Sequence, residues 1–447
     1  MSNLGKESIG KLLVNLATPA IIAQIVNVLY NIVDRIFIGR IENGDIAMAG
    51  VGVSFPIILL IAACSALWGT GGAPLCAIKM GAGDNDAAEK ILTNSFVMLC
   101  LTAITLTTSF FIFGKDLLWF FGASEATIGY AWDYLSIYLV GTIFTQISLG
   151  LNPFINTQGQ AKMGMATVMI GAGVNIILDP IFIFGFDMGV KGAAFATVIA
   201  QASSAIWVML FFKSTKSKLR LRREYFRPNR RIVGSTLALG ISPFVMQSTE
   251  SLVLISLNTQ LARFGGDIAV SAMTIMTSIM QMIMMPIRGL GEGLQPIVSF
   301  NFGAKQLDRV RDTIKLALKV GMSYNLLLVA VLLIFPSLFV YIFNDSPLLV
   351  EATSKYIRIY FIGMTIFGAQ VVCQQIFLSL GQAKISIFIA ILRKIILLVP
   401  LIYILPNFMD NKVNAVLTAE PISDILSALT AVTLFTIFYR KNLRKRL

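Results

Sequence analysis

Apolar residues fill twelve long runs of the chain, at positions 12–39, 46–79, 90–113, 127–157, 161–184, 188–213, 233–264, 268–301, 310–342, 350–379, 383–405 and 413–439. A run that is apolar around most of a helical circumference and about 20 residues long can cross a bilayer. The pattern therefore predicts an all-α polytopic membrane protein with twelve transmembrane helices. Several runs exceed the crossing length, which predicts tilt, kinks or projection beyond the bilayer. Pro19, Pro56, Pro153, Pro243, Pro286 and Pro400 lie inside runs. Each removes a backbone donor and is an expected kink. The even number of runs places both termini on one side.

Polar residues inside the runs carry the candidate chemistry. Gln24, Asn27, Asn31 and Asp34 follow one another at steps of three, four and three, which sets all four on one helical face. A carboxylate in such a run is costly unless it faces protein or water. Asp34 could instead cap the span at the interface, since Arg35 follows and Arg40 is near. Asn175 and Asp179 sit four apart in the fifth run, as do Thr197 and Gln201 in the sixth, and Tyr134, Tyr138, Thr145, Ser148 and Asn152 keep helical spacing in the fourth. With the N-terminus inside, Asp34 and Asp179 each lie about five residues, or some 7 to 8 Å, from the outer end of their helix. Tyr134 and Thr197 fall at a similar level. The four can meet in the outer half of the first bundle. The competing reading is a polar cluster that only holds helices together, with Tyr134 part of an aromatic belt.

The second half offers Glu250 in the seventh run, with Gln247 and Asn258 near it, and Arg393 and Lys394 midway through the eleventh. A buried pair between Glu250 and Arg393 is expected, each partner offsetting part of the other's desolvation cost. The eighth run holds Met273, Met276, Met280, Met282, Met284 and Met285 beside Gln281, Arg288 and Glu292. Methionine suits surfaces that repack around varied ligands, but it also fills cores. Glu292 could meet a cationic ligand or pair with Arg288 at i, i+4.

Composition narrows the class. Charged residues make up 13% of the 447, about half the share of a soluble domain. The net charge of +13 could suggest nucleic acid, but its placement does not. Lys213 to Arg231 carries nine Lys/Arg and RKNLRKRL from Arg440 carries five. Basic segments flanking spans mark the cytoplasmic side, so both termini are expected there. Cys64, Cys76, Cys100 and Cys373 lie in apolar runs without metal or disulfide spacing, and histidine is absent, which removes the commonest acid-base group and metal ligand. No G-x-x-x-x-G-K-[ST] occurs, which argues against a self-contained ATP-driven pump. No nucleophile-base arrangement suggests an enzyme. The first run is too long for a cleavable signal, so the first span itself is expected to direct insertion.

The chain repeats itself. GAGDNDAAEKI at Gly81 resembles FGAKQLDRVRDTI at Phe302, and GQAK at Gly159 recurs at Gly381; Gly81 to Gly303 and Gly159 to Gly381 are both separations of 222 residues. Two matches at one offset argue for a duplicated six-span unit. Six being even, the copies are parallel, related by an axis along the membrane normal. The expected lobes are residues 1–229 and 230–447, joined by a basic solvated linker at 213–231.

YNIVDRIFIG at Tyr30, NPFINTQGQAK at Asn152, VNIILDPIFIFGFDMGVKGAAFATVIAQ at Val174, GLGEGLQPIVSFNFGA at Gly289 and the Gly-Ala turns at Gly81 and Gly303 together resemble the multidrug and toxic compound extrusion (MATE) transporters, in their bacterial DinF/MepA-like branch. The resemblance covers nearly the whole chain. It implies a V-shaped pair of six-helix lobes in a bacterial cytoplasmic membrane, exporting small organic cations and other drugs in exchange for H+ or Na+, as a monomer, with no cofactor and no nucleic-acid partner. Asp34, Tyr134, Asn175, Asp179 and Thr197 match the family's cation-coupling site, where Na+ could sit among Asp34, Asn175 and Asp179. Pro19 matches the bend of its first helix. Substrate-contact candidates are Asn152, Gln201, Glu250, Met276, Met280, Gln281, Arg288 and Glu292. An acidic partner that some members carry in the tenth helix is missing here. A lipid-precursor flippase shares the architecture, but would be expected to line its cavity with several cations; Arg288, Arg393 and Lys394 are the candidates.

Overall fold

In the computed structural model, residues 4–443 are described, apart from the side chain of Asn31. The last four residues of the basic C-terminal segment thus lie outside the described part, as does the orientation expected for Asn31.

The apolar runs fold as helices. In chain order they are α1 (Ile9–Ile38), α2 (Gly44–Gly81), α3 (Asn85–Phe120), α4 (Ile128–Val140), α5 (Thr142–Thr157), α6 (Ala161–Pro180), α7 (Gly189–Lys213), α8 (Arg230–Gly303), α9 (Leu307–Ile334), α10 (Pro336–Val340), α11 (Pro347–Tyr360), α12 (Met364–Ser379), α13 (Ala383–Ile391), α14 (Val399–Ile404) and α15 (Lys412–Phe438). Short polar side chains start several of them. Asp84 accepts from the Ala87 amide at 3.0 Å ahead of α3, and Asn411 from the Asn414 amide at 3.0 Å ahead of α15. Such a cap satisfies a donor that has no partner within the helix.

Among the described residues nine helices are long and apolar enough to span, and two bent pairs bring the number to eleven. The 74-residue α8 contains a break at Gly266, whose φ of 61° and ψ of −158° are not helical. Only glycine visits that backbone region without strain. Counting the two arms of α8 separately is consistent with twelve spans. The fourth and tenth runs, each expected to be one helix, are sharply bent. α4 and α5 meet at 60° and α11 and α12 at 53°. The bends fall at Gly141 and Gly363, again 222 residues apart, so the duplication extends to backbone geometry. Beside Pro180 and Pro400 the chain leaves α geometry for π turns, at Ile181–Gly185 and Leu392–Leu398. Such turns are frequent at functional positions.

The repeats join along α2 and α8, the most extensive helix pair in the molecule. A Cβ on Gly81 would lie 1.9 Å from the Phe300 carbonyl, and one on Gly303 would lie 1.9 Å from the Ile78 carbonyl. This reciprocal contact requires the glycines found at both positions. α1 lies between α6 of its own repeat and the second arm of α8, where Ala17 and Ile21 press onto Gly293 and Gly289. Small residues that let backbones approach are how helices associate in lipid. These joints lie in the half of the bundle that carries the 214–229 connection, and Gln24 marks their far edge. The connection is less free than its charge suggested. Arg220 and Arg222 engage buried Glu89, Asn229 donates to Asn94, and Gln158 accepts from the Ser217 hydroxyl and the Lys218 and Leu219 amides.

Candidate functional site

The C-terminal end of α1, the last turn of α6, the middle of α4 and the first half of α7 converge in the first repeat. Asp179 and Asn175 are fully buried, Thr197 and Tyr134 nearly so. Asn175 Nδ2 donates to Asp179 Oδ1 at 3.2 Å and to Thr197 Oγ1 at 3.5 Å. The Asp34 and Asp179 carboxyl groups lie close enough to interact with each other, and Tyr134 lies beside Thr197 and Asp34. Tyr138 stacks on Tyr134, centroids 6.3 Å apart, and forms the wall behind it. All five residues expected to form a cation site are therefore brought together. The neighbouring Arg35 guanidinium lies over the Phe55 ring, 5.3 Å from its centroid.

What distinguishes this cluster is its surplus of acceptors. Asp34 Oδ1, Asp179 Oδ2 and Asn175 Oδ1 are all buried without a donor among the described residues. A buried polar atom with no partner costs roughly 1–3 kcal/mol, more if charged. Three in one place leave room for a species that supplies positive charge or protons. Next to them, a cavity of about 50 Å³ extends between α1, α5, α6 and α7, lined by Asn27, Asn152, Asn175, Thr197 and Gln201 among others. Ser148 donates to Gln201 Oε1 at 2.8 Å, and Asn152 Oδ1 is buried without a donor. Of the substrate-contact candidates, Asn152 and Gln201 thus line one cavity with Asn175 and Thr197 of the five.

The second repeat differs. The pair expected between Glu250 and Arg393 is not made. Arg393 Nε donates to Asp424 Oδ1 at 2.8 Å and its Nη2 to Glu420 Oε1 at 2.7 Å. The same guanidinium lies 4.1 Å from the Phe367 ring centroid. Lys394 takes Glu250 instead, and also donates to the Met246 carbonyl at 2.8 Å. Successive residues of a helix point about 100° apart, so the rotation of this segment decides which cation meets which acid. Both basic residues lie in the π turn, and the Arg393 carbonyl accepts from the Ser423 hydroxyl at 2.7 Å. Arg393 and Lys394 are buried, whereas the Glu250 side chain is 57% exposed.

Glu420 and Asp424 were absent from the expected set. Their signal was available: two carboxylates four apart in the apolar run AEPISD, where an ionisable residue within a span is a functional candidate by default. Gln370, which accepts from Ser427 at 2.8 Å, extends the same layer.

The methionine-rich helix divides. Met276 is fully buried in the apolar core of the second repeat, so it is core and not a ligand contact, because neighbouring side chains already cover it. Met280 is partly buried against that core, while Gln281 and Arg288 are exposed. Glu292 accepts from Gln24 Nε2 at 2.8 Å; its partner is across the repeat interface and not Arg288. Pro19 lies within α1, midway between Ala17 and Ile21, the two residues seated on Gly293 and Gly289. A proline there removes a helical bond where α1 crosses the other repeat.

Known proteins agree with this architecture. A multidrug export protein MepA of Staphylococcus haemolyticus is 25% identical over 443 residues, 99% of this chain and 95% of that protein. A solved structure described as MATE in the bent conformation superposes with a TM-score of 0.92 at 22% identity, covering 99% of this chain and 98% of that one. Another, an outward-facing multidrug resistance MATE family transporter of the MOP superfamily, gives 0.89 at 22% identity, covering 97% and 96%. The MatE family profile matches twice, at residues 19–181 and 243–404, once in each repeat. A multi-pass helical bundle with that profile in both halves places the assignment beyond fold alone: the chain belongs to the MatE family of membrane transporters.

Proposed function

We propose that this chain is a multidrug efflux antiporter that exchanges organic cations for H+ or Na+ through the acceptor cluster of its first repeat. The observation that supports this best is the convergence of Asp34 Oδ1, Asp179 Oδ2 and Asn175 Oδ1, buried and without donors among the described residues. Two carboxyl groups close enough to interact need a proton between them or a cation beside them, because like charges repel. Oxygens from carboxylate, amide and hydroxyl are hard donors that suit either ion. A drug cation and the coupling ion then favour different arrangements of residues 1–229 and 230–447, and reciprocal linkage drives export. One charge crossing 100 mV supplies about 2.3 kcal/mol, while a tenfold drug gradient costs about 1.4 kcal/mol. One ion per drug supports modest accumulation.

The joints between the repeats support an outward-open arrangement. They run from Leu67 and Gly240 to Ile78 and Gly303, together with Ala17, Ile21 and Gln24 of α1. All fall in the half that carries the basic 214–229 connection. That half is cytoplasmic by the positive-inside rule, together with both termini. Asp34 and Asp179 then lie toward the outer end, open to the side from which the coupling ion comes. A flippase gains no support, because Arg393 and Lys394 are buried and paired with carboxylates, leaving neither to meet a phosphate.

Purified protein in proteoliposomes tests the proposal. Efflux of a cationic dye is expected under an imposed pH gradient or an imposed sodium gradient, and the active gradient names the ion. Wild-type protein that moves dye under neither gradient, or an Asp34→Asn variant that moves it as fast as wild type, overturns the proposal.

A further inference from the structure

A second site lies outside the cluster just described. α9 and α15 both pack on α12, and at the linker end of the bundle a groove of about 450 Å³ opens between them. Its wall is apolar, with Leu318 on one side and Phe435 on the other. Beneath them Phe377 of α12 is fully buried and meets Phe435 edge-on, centroids 6.1 Å apart. Its rim is cationic, with Arg311 and Lys315 from the first turns of α9 and Arg440 just beyond α15. Arg311 pairs through one terminal nitrogen with Asp308 of its own helix, while its Nε is buried and has no partner among the described residues. Lys315 and Arg440 are in no ion pair among the described residues. Three cations against one carboxylate leave the rim electropositive.

The spacing suits one kind of molecule. Lys315 is eight residues into α9, about 12 Å at 1.5 Å per residue, from where its long side chain can reach back to a headgroup layer about 5–8 Å thick for a helix that begins at the membrane surface. The apolar wall continues from there into the span. A ligand with an anionic head and a hydrocarbon tail would satisfy rim and wall at once. Basic pockets between helices on the cytoplasmic side take such headgroups. A drug cation would be repelled.

We propose that the α9–α15 groove binds one anionic glycerophospholipid of the leaflet at the linker end, its phosphate held by Arg311, Lys315 and Arg440 and an acyl chain lying along Leu318 and Phe435. A bound lipid there ties the start of α9 to the end of α15 and stabilises the second repeat.

Delipidated, detergent-purified protein is titrated with phosphatidylglycerol, phosphatidylcholine or inorganic phosphate, with retained lipid counted by native mass spectrometry and stability read by thermal unfolding. Phosphatidylglycerol is expected to be retained at one copy more than phosphatidylcholine and to raise the unfolding temperature. The Lys315→Gln/Arg440→Gln double variant should weaken that binding roughly 30-fold, from about one headgroup attraction lost per cation. A Lys216→Gln/Lys218→Gln control in the linker should bind as wild type does. Thr436→Trp, which fills the groove without changing charge, should also lose the extra copy, and it serves if the double variant does not fold. Equal retention of the two lipids, full binding by the folded variants, an equal loss in the linker control, or the same stabilisation by inorganic phosphate alone would each overturn the proposal.

Discussion

The two repeats share a fold and a set of bends, yet they treat buried acid in opposite ways. In the first, two carboxyl groups face each other with an amide and two hydroxyls, and the one nearby guanidinium turns away to Phe55. In the second, buried Glu420 and Asp424 are held by Arg393, while Lys394 takes the more exposed Glu250. A buried acid with its own cation is a closed structural unit whose charge is already compensated. A buried acid without one needs a partner from solution. The same helical frame thus carries a clasp on one side and an open exchange site on the other, and the clasp leaves the second repeat with little acidity to offer a coupling ion. One atom qualifies that division: Glu420 Oε2 is buried with no donor, so three acids share two cations and the clasp retains one unmet acceptor.

The largest effect should come from opening the clasp. Arg393→Met removes both ion pairs and strands two buried carboxylates, which costs roughly 3–5 kcal/mol when a single partner is taken from a buried pair. Folded yield and thermal unfolding in detergent should fall sharply. Adding Glu420→Gln and Asp424→Asn should recover most of the loss, because neutral partners need no cation. A triple variant as unstable as the single one would show that Arg393 acts through packing on Phe367 and not through charge.

Much of this contrast was legible before folding, and the illegible part has a physical cause. Asp34, Asn175, Asp179 and Thr197 could be placed together because each sits on a helical face at a countable distance from a helix end. Depth along a helix is linear in residue number. The identity of a cross-helix partner is not, since it depends on helix rotation: Arg393 and Lys394 are adjacent, and the structure exchanges the expected partner of Glu250 between them. The 60° and 53° bends at α4–α5 and α11–α12 were also hidden, because apolar periodicity continues through a bend without a break. The methionines of α8 illustrate the same blindness, since Met276 is core while Met282 is exposed on one apolar surface.

Next in size is the joint over which α1 would have to move. Gly293→Ala puts a methyl 2.6 Å from the Ala17 backbone nitrogen. Overpacking of this kind costs about 1–3 kcal/mol, here borne by the contact between α1 and α8 beside Pro19. Thermal stability should fall and dye efflux should slow, whereas the folded Arg393 triple variant should keep its efflux. Unchanged stability would mean that α1 is not held where the two glycines receive it.

In the open site the expected signs are reversed. Asp34→Asn replaces one of two facing acids with an amide that can donate to Asp179, so stability should hold or rise slightly in thermal unfolding. Gradient-driven efflux should fall at least tenfold, a change of about 1.4 kcal/mol. A destabilised variant would make the first cluster a structural unit like the second, and the contrast between the repeats would collapse.

The smallest effect separates the two cations of the clasp. Glu250 is 57% exposed where Arg393's partners are almost wholly buried, so water can solvate its carboxylate once Lys394 is gone. Lys394→Met should therefore cost only about 1 kcal/mol, within the range of exposed ion pairs, and Glu250→Gln added to it should change little. Efflux carries the sharper reading. With Lys394 gone, Glu250 becomes an uncompensated acid in the second repeat, resembling the first repeat's open site. If it then serves as an additional cation contact, apparent affinity for a divalent organic dye should rise in Lys394→Met and return to the wild-type value in the double variant. If affinity stays constant across all three, Lys394 is only a structural partner, and the asymmetry between the repeats resides in the lack, among the described residues, of a cation paired with Asp34 or Asp179.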